Sequence, residues 1–223
     1  MSDAVRIIEV KEDILADNAL MAKNLNNELT ASKTFLMNLM ASPGAGKTTT
    51  LLATLARIGK TLKVGVMEAD IDSKVDAEKI AAAGTEAIQI KTGGFCHMDA
   101  TMVKTGLDAM DSKRFDLVIL ENVGNLVCPA EFETGAHLNA MILSIPEGDD
   151  KPLKYPLMFS VCQVLLINKM DYLPLSDFNL ELFRERVRAI NPDMTIFEIS
   201  SKTGQGVDAW AEWLTARVKS VIG

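Results

Sequence analysis

Residues 41–50 read ASPGAGKTTT, directly after a short apolar run, TFLMNLM (34–40), and at the head of a helix-like segment (48–59). A strand that ends in a glycine turn and passes into a helix beginning Lys-Thr curls backbone amides around phosphate oxygens. Gly44, Ala45 and Gly46 form the turn. The helix start (Lys47, Thr48, Thr49) adds the positive end of the helix dipole. Lys47 reaches terminal phosphates, and the Thr48 hydroxyl is offered to a magnesium ion. Ala41 stands where the G-x-x-x-x-G-K-[ST] pattern has glycine. Alanine fits there if the backbone keeps a negative φ.

A turn of this kind needs a parallel sheet behind it. Further apolar runs supply one: KVGVMEA (63–69), AIQI (87–90), DLVILE (116–121), MILSI (141–145), VLLINK (164–169) and TIFEI (195–199). Helix-like segments over 74–83, 98–111, 178–189 and 206–220 separate several of them. Alternation of this sort predicts an α/β P-loop NTPase fold, a mostly parallel sheet with helices on both faces. Before it, Ile14, Leu15, Leu20, Met21 and Leu25 recur at near-helical spacing and predict a helix laid on the main domain. The expected division is an N-terminal helical extension, 1–33, and a nucleotide domain with inserted loops, 34–223.

Composition narrows the function. The net charge of -7 argues against a nonspecific nucleic-acid binder and against a polybasic membrane-surface protein. The longest apolar run, LMFSVCQVLLI (157–167), is too short to span a bilayer. The acidic start MSDAVRIIEV does not read as a secretory signal. Three cysteines without secreted-scaffold spacing fit a reducing cytoplasm.

In sheets of this type ligands collect at the carboxyl ends of the strands. INKMD (167–171) lies at such an end and matches N-K-x-D. The Asp171 carboxylate accepts from both N1–H and the 2-amino group of guanine, donors that adenine lacks in that geometry. Asn168 braces the loop, and the Lys169 stem lies over the ring. ISSKTGQG (199–206) supplies Ser200, Ser201 and Lys202 to close over the base. The cofactor is therefore read as GTP or GDP.

Glu121 ends the strand in LVILENVGN and is expected to hold Mg2+ with Thr48. Gly124 is placed to donate its amide to the γ-phosphate. In EADIDSKVDAEKI (68–80), Asp70 is expected at magnesium or the attacking water, with Asp72 as its deputy. Asp76, Glu78 and Lys79 read as a solvated helix face. Lys47, Asp70, Asp72 and Glu121 are the expected catalytic groups.

GGFCHMDA (93–100) sets Cys96 beside His97 in a chain with two histidines, and Cys128 follows the ENVGN segment. Both loops are placed near the phosphate edge. Two thiolates and one imidazole suit Zn2+ and Ni2+ alike, and the competing reading is a small buried hydrophobe. That second reading is the one given to Cys162, inside FSVCQVLL. His137 reads as structural.

Taken together, SPGAGKTT, DAEKI, GGFCHMDA, ENVGNLVCPAEF, PEGDDKPLKYPLMF and NKMDYLP resemble the HypB family, in matching order from about residue 34 onward. HypB proteins are SIMIBI-class P-loop GTPases that deliver nickel during [NiFe]-hydrogenase maturation. The resemblance implies a nickel or zinc site from Cys96, His97 and Cys128, at or near the two-fold axis of a homodimer promoted by GTP. It implies the hydrogenase large-subunit precursor and other maturation proteins as partners. Lys151 or Lys154 is placed to reach the partner's nucleotide. The motifs hold no arginine finger or activating glutamine, so slow hydrolysis is expected. This chain has neither a histidine-rich tract nor an N-terminal cysteine cluster, so no nickel-storage role is inferred. The urease relative's Cys-Pro-His motif is absent: Cys96 precedes His97, and Cys128-Pro129 precedes alanine.

Overall fold

The computed structural model describes residues 10–70 and 75–223, with the side chains of 10–13 left aside. Seven strands form one sheet in the order β3-β2-β4-β1-β5-β6-β7. They are β1 Phe35–Ala41, β2 Val64–Asp70, β3 Glu86–Lys91, β4 Leu117–Glu121, β5 Leu138–Ser144, β6 Val164–Asn168 and β7 Thr195–Glu198. Every neighbouring pair is parallel. The nine α-helices of the described residues are α1 Val10–Ala31, α2 Lys47–Ile58, α3 Val75–Ala82, α4 Ala100–Ala109, α5 Cys128–Glu131, α6 Lys151–Lys154, α7 Pro156–Val161, α8 Leu180–Ile190 and α9 Val207–Ile222.

The apolar runs became strands because both faces of the sheet are covered. Along β1, Phe35, Met37 and Leu39 face α2 and α9, packing with Leu51, Leu55, Trp210 and Leu214. On the other face Leu36 joins Leu25 and Leu29 of α1 and Val103 and Leu107 of α4. Met40 joins Met158 and Phe159 of α7 and Phe183 and Val187 of α8. This is the period-2 alternation of a strand buried on both sides. The Trp210 Nε1–H donates to Thr54 Oγ1 at 3.1 Å, which satisfies the one polar atom of that buried ring.

Two expectations shift. The helix before the sheet buries Ala22, Leu25 and Leu29, whereas Ile14 and Leu20 are exposed. The stripe rotates because Asn18 and Asn26 also face inward: their side-chain amides donate to the carbonyls of Glu133 and Gly135. Strand β5 begins at Leu138, earlier than the run MILSI suggests, after the His137 amide has donated to the Leu36 carbonyl of β1. His137 Nδ1 accepts from the Leu36 amide at 3.0 Å, its Nε2 lies 3.0 Å from Thr30 Oγ1, and its ring stacks on Phe35.

Candidate functional site

The carboxyl ends of β1, β2, β4 and β6 place the site. Gly44 and Gly46 take left-handed φ values of 78° and 98°. At Gly46 an added Cβ would stand 2.6 Å from Asn168 Nδ2, so glycine alone lets the phosphate loop meet the later strand this closely. Ala41 closes β1 without positive φ, so alanine meets no strain there.

A cavity of about 470 Å³ opens over the loop, bounded by Lys47, Thr48, Asp70, Glu121 and Gly124. Thr48 Oγ1 donates to Glu121 Oε1 at 3.0 Å. Glu121 is buried, and its Oε2 has no hydrogen-bond partner among the described residues; the same holds for Glu68 Oε2. Burial pushes both carboxyl groups up to about 7, against the pull of Gln89 at Glu68 and of Lys47 at Glu121. Glu68, Asp76 and Glu121 bring carboxylate oxygens within 4.8 Å of one another. Orphaned hard oxygens beside a threonine hydroxyl suit magnesium.

Two carboxylates stand where the sequence does not lead one to expect them. Asp76 and Lys79 do not form a purely solvated helix face: both line the phosphate cavity, paired at 2.8 Å. Glu68, read only as part of a strand, is in the cluster. Asp70 lines the same cavity but is not one of the three clustered carboxylates. Asp72 lies outside the described residues.

A second cavity, about 330 Å³, adjoins the first at Gly46 and Thr49 and is bounded by Lys169, Asp171, Ser200, Ser201 and Lys202. Its walls are tied together. Asn168 Nδ2 donates to the Ala45 carbonyl at 3.0 Å, and Asn168 Oδ1 accepts from the Ser201 amide at 3.1 Å. Lys169, at φ 62°, donates from Nζ to the Gly44 carbonyl at 2.7 Å. Ser200 Oγ donates to Asp171 Oδ1 at 2.7 Å, fixing the carboxylate plane.

The loop after β3 and the start of α5 meet at the sulfurs. Cys96 Sγ lies 2.7 Å from Cys128 Sγ and 3.9 Å from His97 Nδ1. All three ligand atoms fall within 4.8 Å of one another. The bond to Cys128 raises the Cys96 thiol, and burial adds to the effect. Burial lowers His97, favouring the neutral imidazole that ligates metals. Phe132 stacks on that ring at 3.8 Å. Two residues beyond the sequence reading hold the loops: Asn125 donates to the Cys96 carbonyl at 3.4 Å, and Asn122 Oδ1 accepts from the Met98 amide at 3.3 Å. Both belong to the ENVGN segment, whose polar residues were the available signal. Cys162 is buried beside Met158, where desolvation raises its thiol. Lys151 and Lys154, on α6, both pair with Asp150.

Known proteins are similar to this chain in sequence and fold. The sequence model described as "CobW/HypB/UreG, nucleotide-binding domain" matches residues 35–198. The hydrogenase maturation factor HypB of Escherichia coli is 41% identical over 209 residues, covering 94% of this chain and 72% of that one. The hydrogenase/urease maturation factor HypB of Helicobacter pylori is 36% identical over 211 residues, covering 93% and 86%. Among solved structures, HypB from Helicobacter pylori in complex with nickel superposes with a TM-score of 0.87 at 34% identity, covering 92% and 96%. The signal recognition particle 54 kDa protein of Aeropyrum pernix, in complex with GDP, shares the fold at 16% identity, with a TM-score of 0.57 and coverage of 85% and 50%. The chain belongs to the CobW/HypB/UreG family of nucleotide-binding proteins, and within it to the HypB hydrogenase maturation factors.

Proposed function

We propose that this chain is a slow GTPase whose nucleotide state sets the grip of Cys96, His97 and Cys128 on nickel, for delivery to a [NiFe]-hydrogenase large-subunit precursor. The observation that carries the reading is one stretch of chain: Gly124, packed against Lys47 at the phosphate cavity, leads within the same loop to Cys128, in contact with Cys96. Asp171 selects guanine, and the Asn168 and Lys169 bonds hold base and phosphate ends in register. Thr48, Asp76 and Glu121 would hold magnesium, which neutralises charge on the phosphates. Asp70, on the same cavity, orients the attacking water. Lys47 offsets charge developing on the leaving oxygens.

Two thiols and an imidazole per chain leave room for further ligands, so a homodimer formed with GTP completes the coordination of the cargo ion. Zinc fits the same donor set and competes for it. When the γ-phosphate leaves, the 122–128 segment relaxes and the sulfur geometry changes with it. Each tenfold change in nickel affinity needs about 1.4 kcal/mol of coupling. The test is the nickel dissociation constant and oligomeric state with GDP and with a non-hydrolysable GTP analogue. Tighter binding in one state, with a change in dimerisation, is expected. Equal affinities with unchanged assembly reject the reading.

A further inference from the structure

We propose that Glu68 makes the acidic end of the phosphate cavity a divalent-cation site that fills before nucleotide arrives. The inference rests on reading this cavity as the phosphate end of a GTP site, and adds a loading step that uses protein oxygens alone.

Glu68 and Glu121 are register partners on the adjacent parallel strands β2 and β4, so their side chains leave the same face of the sheet. They are 4% and 1% exposed, and each carries an oxygen with no hydrogen-bond partner among the described residues. Asp76 approaches from α3, and the three carboxylates converge within 4.8 Å. A nucleotide-bound magnesium takes one or two carboxylates, because phosphates and waters complete its six positions. The third carboxylate is surplus to that ion. It also adds negative charge beside an incoming triphosphate. Among the described residues, the ammonium groups lining the cavity are those of Lys47 and Lys79, and Lys79 is already paired with Asp76. Buried carboxylates that ionise in this setting need a counter-ion. A hard divalent ion of the Mg2+ class meets the demand and is then shared with the phosphates.

The test uses the full chain, stripped of metal and nucleotide, titrated with Mn2+ and followed by the electron paramagnetic resonance of the free ion. Unsubstituted protein is expected to take up about one Mn2+ per chain, displaceable by Mg2+. Glu68→Gln is expected to weaken that uptake about tenfold or more. A second measurement needs no substitution: Mn2+ should broaden the amide resonances of Glu68 and Glu121 before those of His97. Absence of Mn2+ uptake, affinity unchanged in Glu68→Gln, or broadening centred on His97 overturns the inference. Binding of a fluorescent GTP analogue by the unsubstituted chain is measured alongside. Nucleotide binding without prior Mn2+ uptake removes the cation step alone. Mn2+ uptake without nucleotide binding leaves the cation site standing and removes the GTP reading.

Discussion

The ammonium of Lys47 lies 3.1 Å from where a Cβ on Gly124 would stand, with Pro43 packed on the same spot at 3.3 Å. A methyl group at Gly124 must therefore push the lysine or the proline by a few tenths of an ångström. Gly124→Ala is expected to weaken GTP binding by several-fold and to shrink the difference in nickel affinity between the GTP-analogue and GDP states. Competition against a chromophoric chelator reads both affinities. A difference that survives intact would place the link elsewhere than the 122–128 segment.

The sulfur ligands and His137 separate by role. Cys96→Ala or Cys128→Ala should lower nickel or zinc affinity on the order of 100-fold, since a ligand is lost outright. His137→Ala should leave metal content unchanged. It should instead reduce stability by about 1–3 kcal/mol, because the Leu36 amide loses its acceptor in a buried setting. Metal analysis and urea denaturation of the same preparations distinguish these outcomes.

Guanine selection is assigned to Asp171. An amide in place of the carboxylate cannot accept from both guanine donors. Asp171→Asn should therefore lose on the order of 100-fold in GTP affinity. The new amide donor should favour xanthosine triphosphate, whose 2-oxo group accepts. Parallel titrations with the two nucleotides check the swap; equal losses for both would mean the loop itself had come apart.

Stability should depend on pH through the buried pair. Glu68 and Glu121 sit at about 7 in the folded chain, against an ordinary value of 4.5. Between those values the folded state binds more protons than the unfolded one. Their effect therefore favours folding below pH 4.5, and stability falls as pH rises toward 7. In metal-free buffer the Tm is expected to drop as pH rises from 5 to 7.5, since both carboxyl groups then lose protons in the folded chain. Glu68→Gln should flatten the slope. A thermal melt series across that range, with and without Mg2+, decides it.

The sheet was legible because its five inner strands are buried on both faces and so read as apolar runs, and the glycine turn fixed where the first one ends. Glu68 was not legible for the same reason: inside KVGVMEA it looks like one polar position in a strand. Its meaning comes from standing opposite Glu121, a register that depends on β2 lying beside β4. Asp76 hid behind local chemistry, because an aspartate three residues before a lysine is the ordinary pattern of a solvated helix. The turn of α3 toward the phosphate cavity is a tertiary fact. Loops carrying Cys96 and Cys128 could be placed at one edge from strand order, whereas their contact rests on Asn125 and Asn122, whose bonds have no sequence period. The short helices α5, α6 and α7 fall below the length at which helical spacing repeats.

Asn168 reaches the phosphate loop through Ala45 and the closing loop through Ser201, from a buried position at the end of β6. The two cavities on either side of it are thus welded at a common wall. A guanosine fragment or an inorganic pyrophosphate, offered alone, meets a seat shaped as a whole and gains only its own half of the contacts. On the proposed reading the entire nucleotide is recognised as one unit, and a change at the base rim is expected to be felt at the far end as loosened grip.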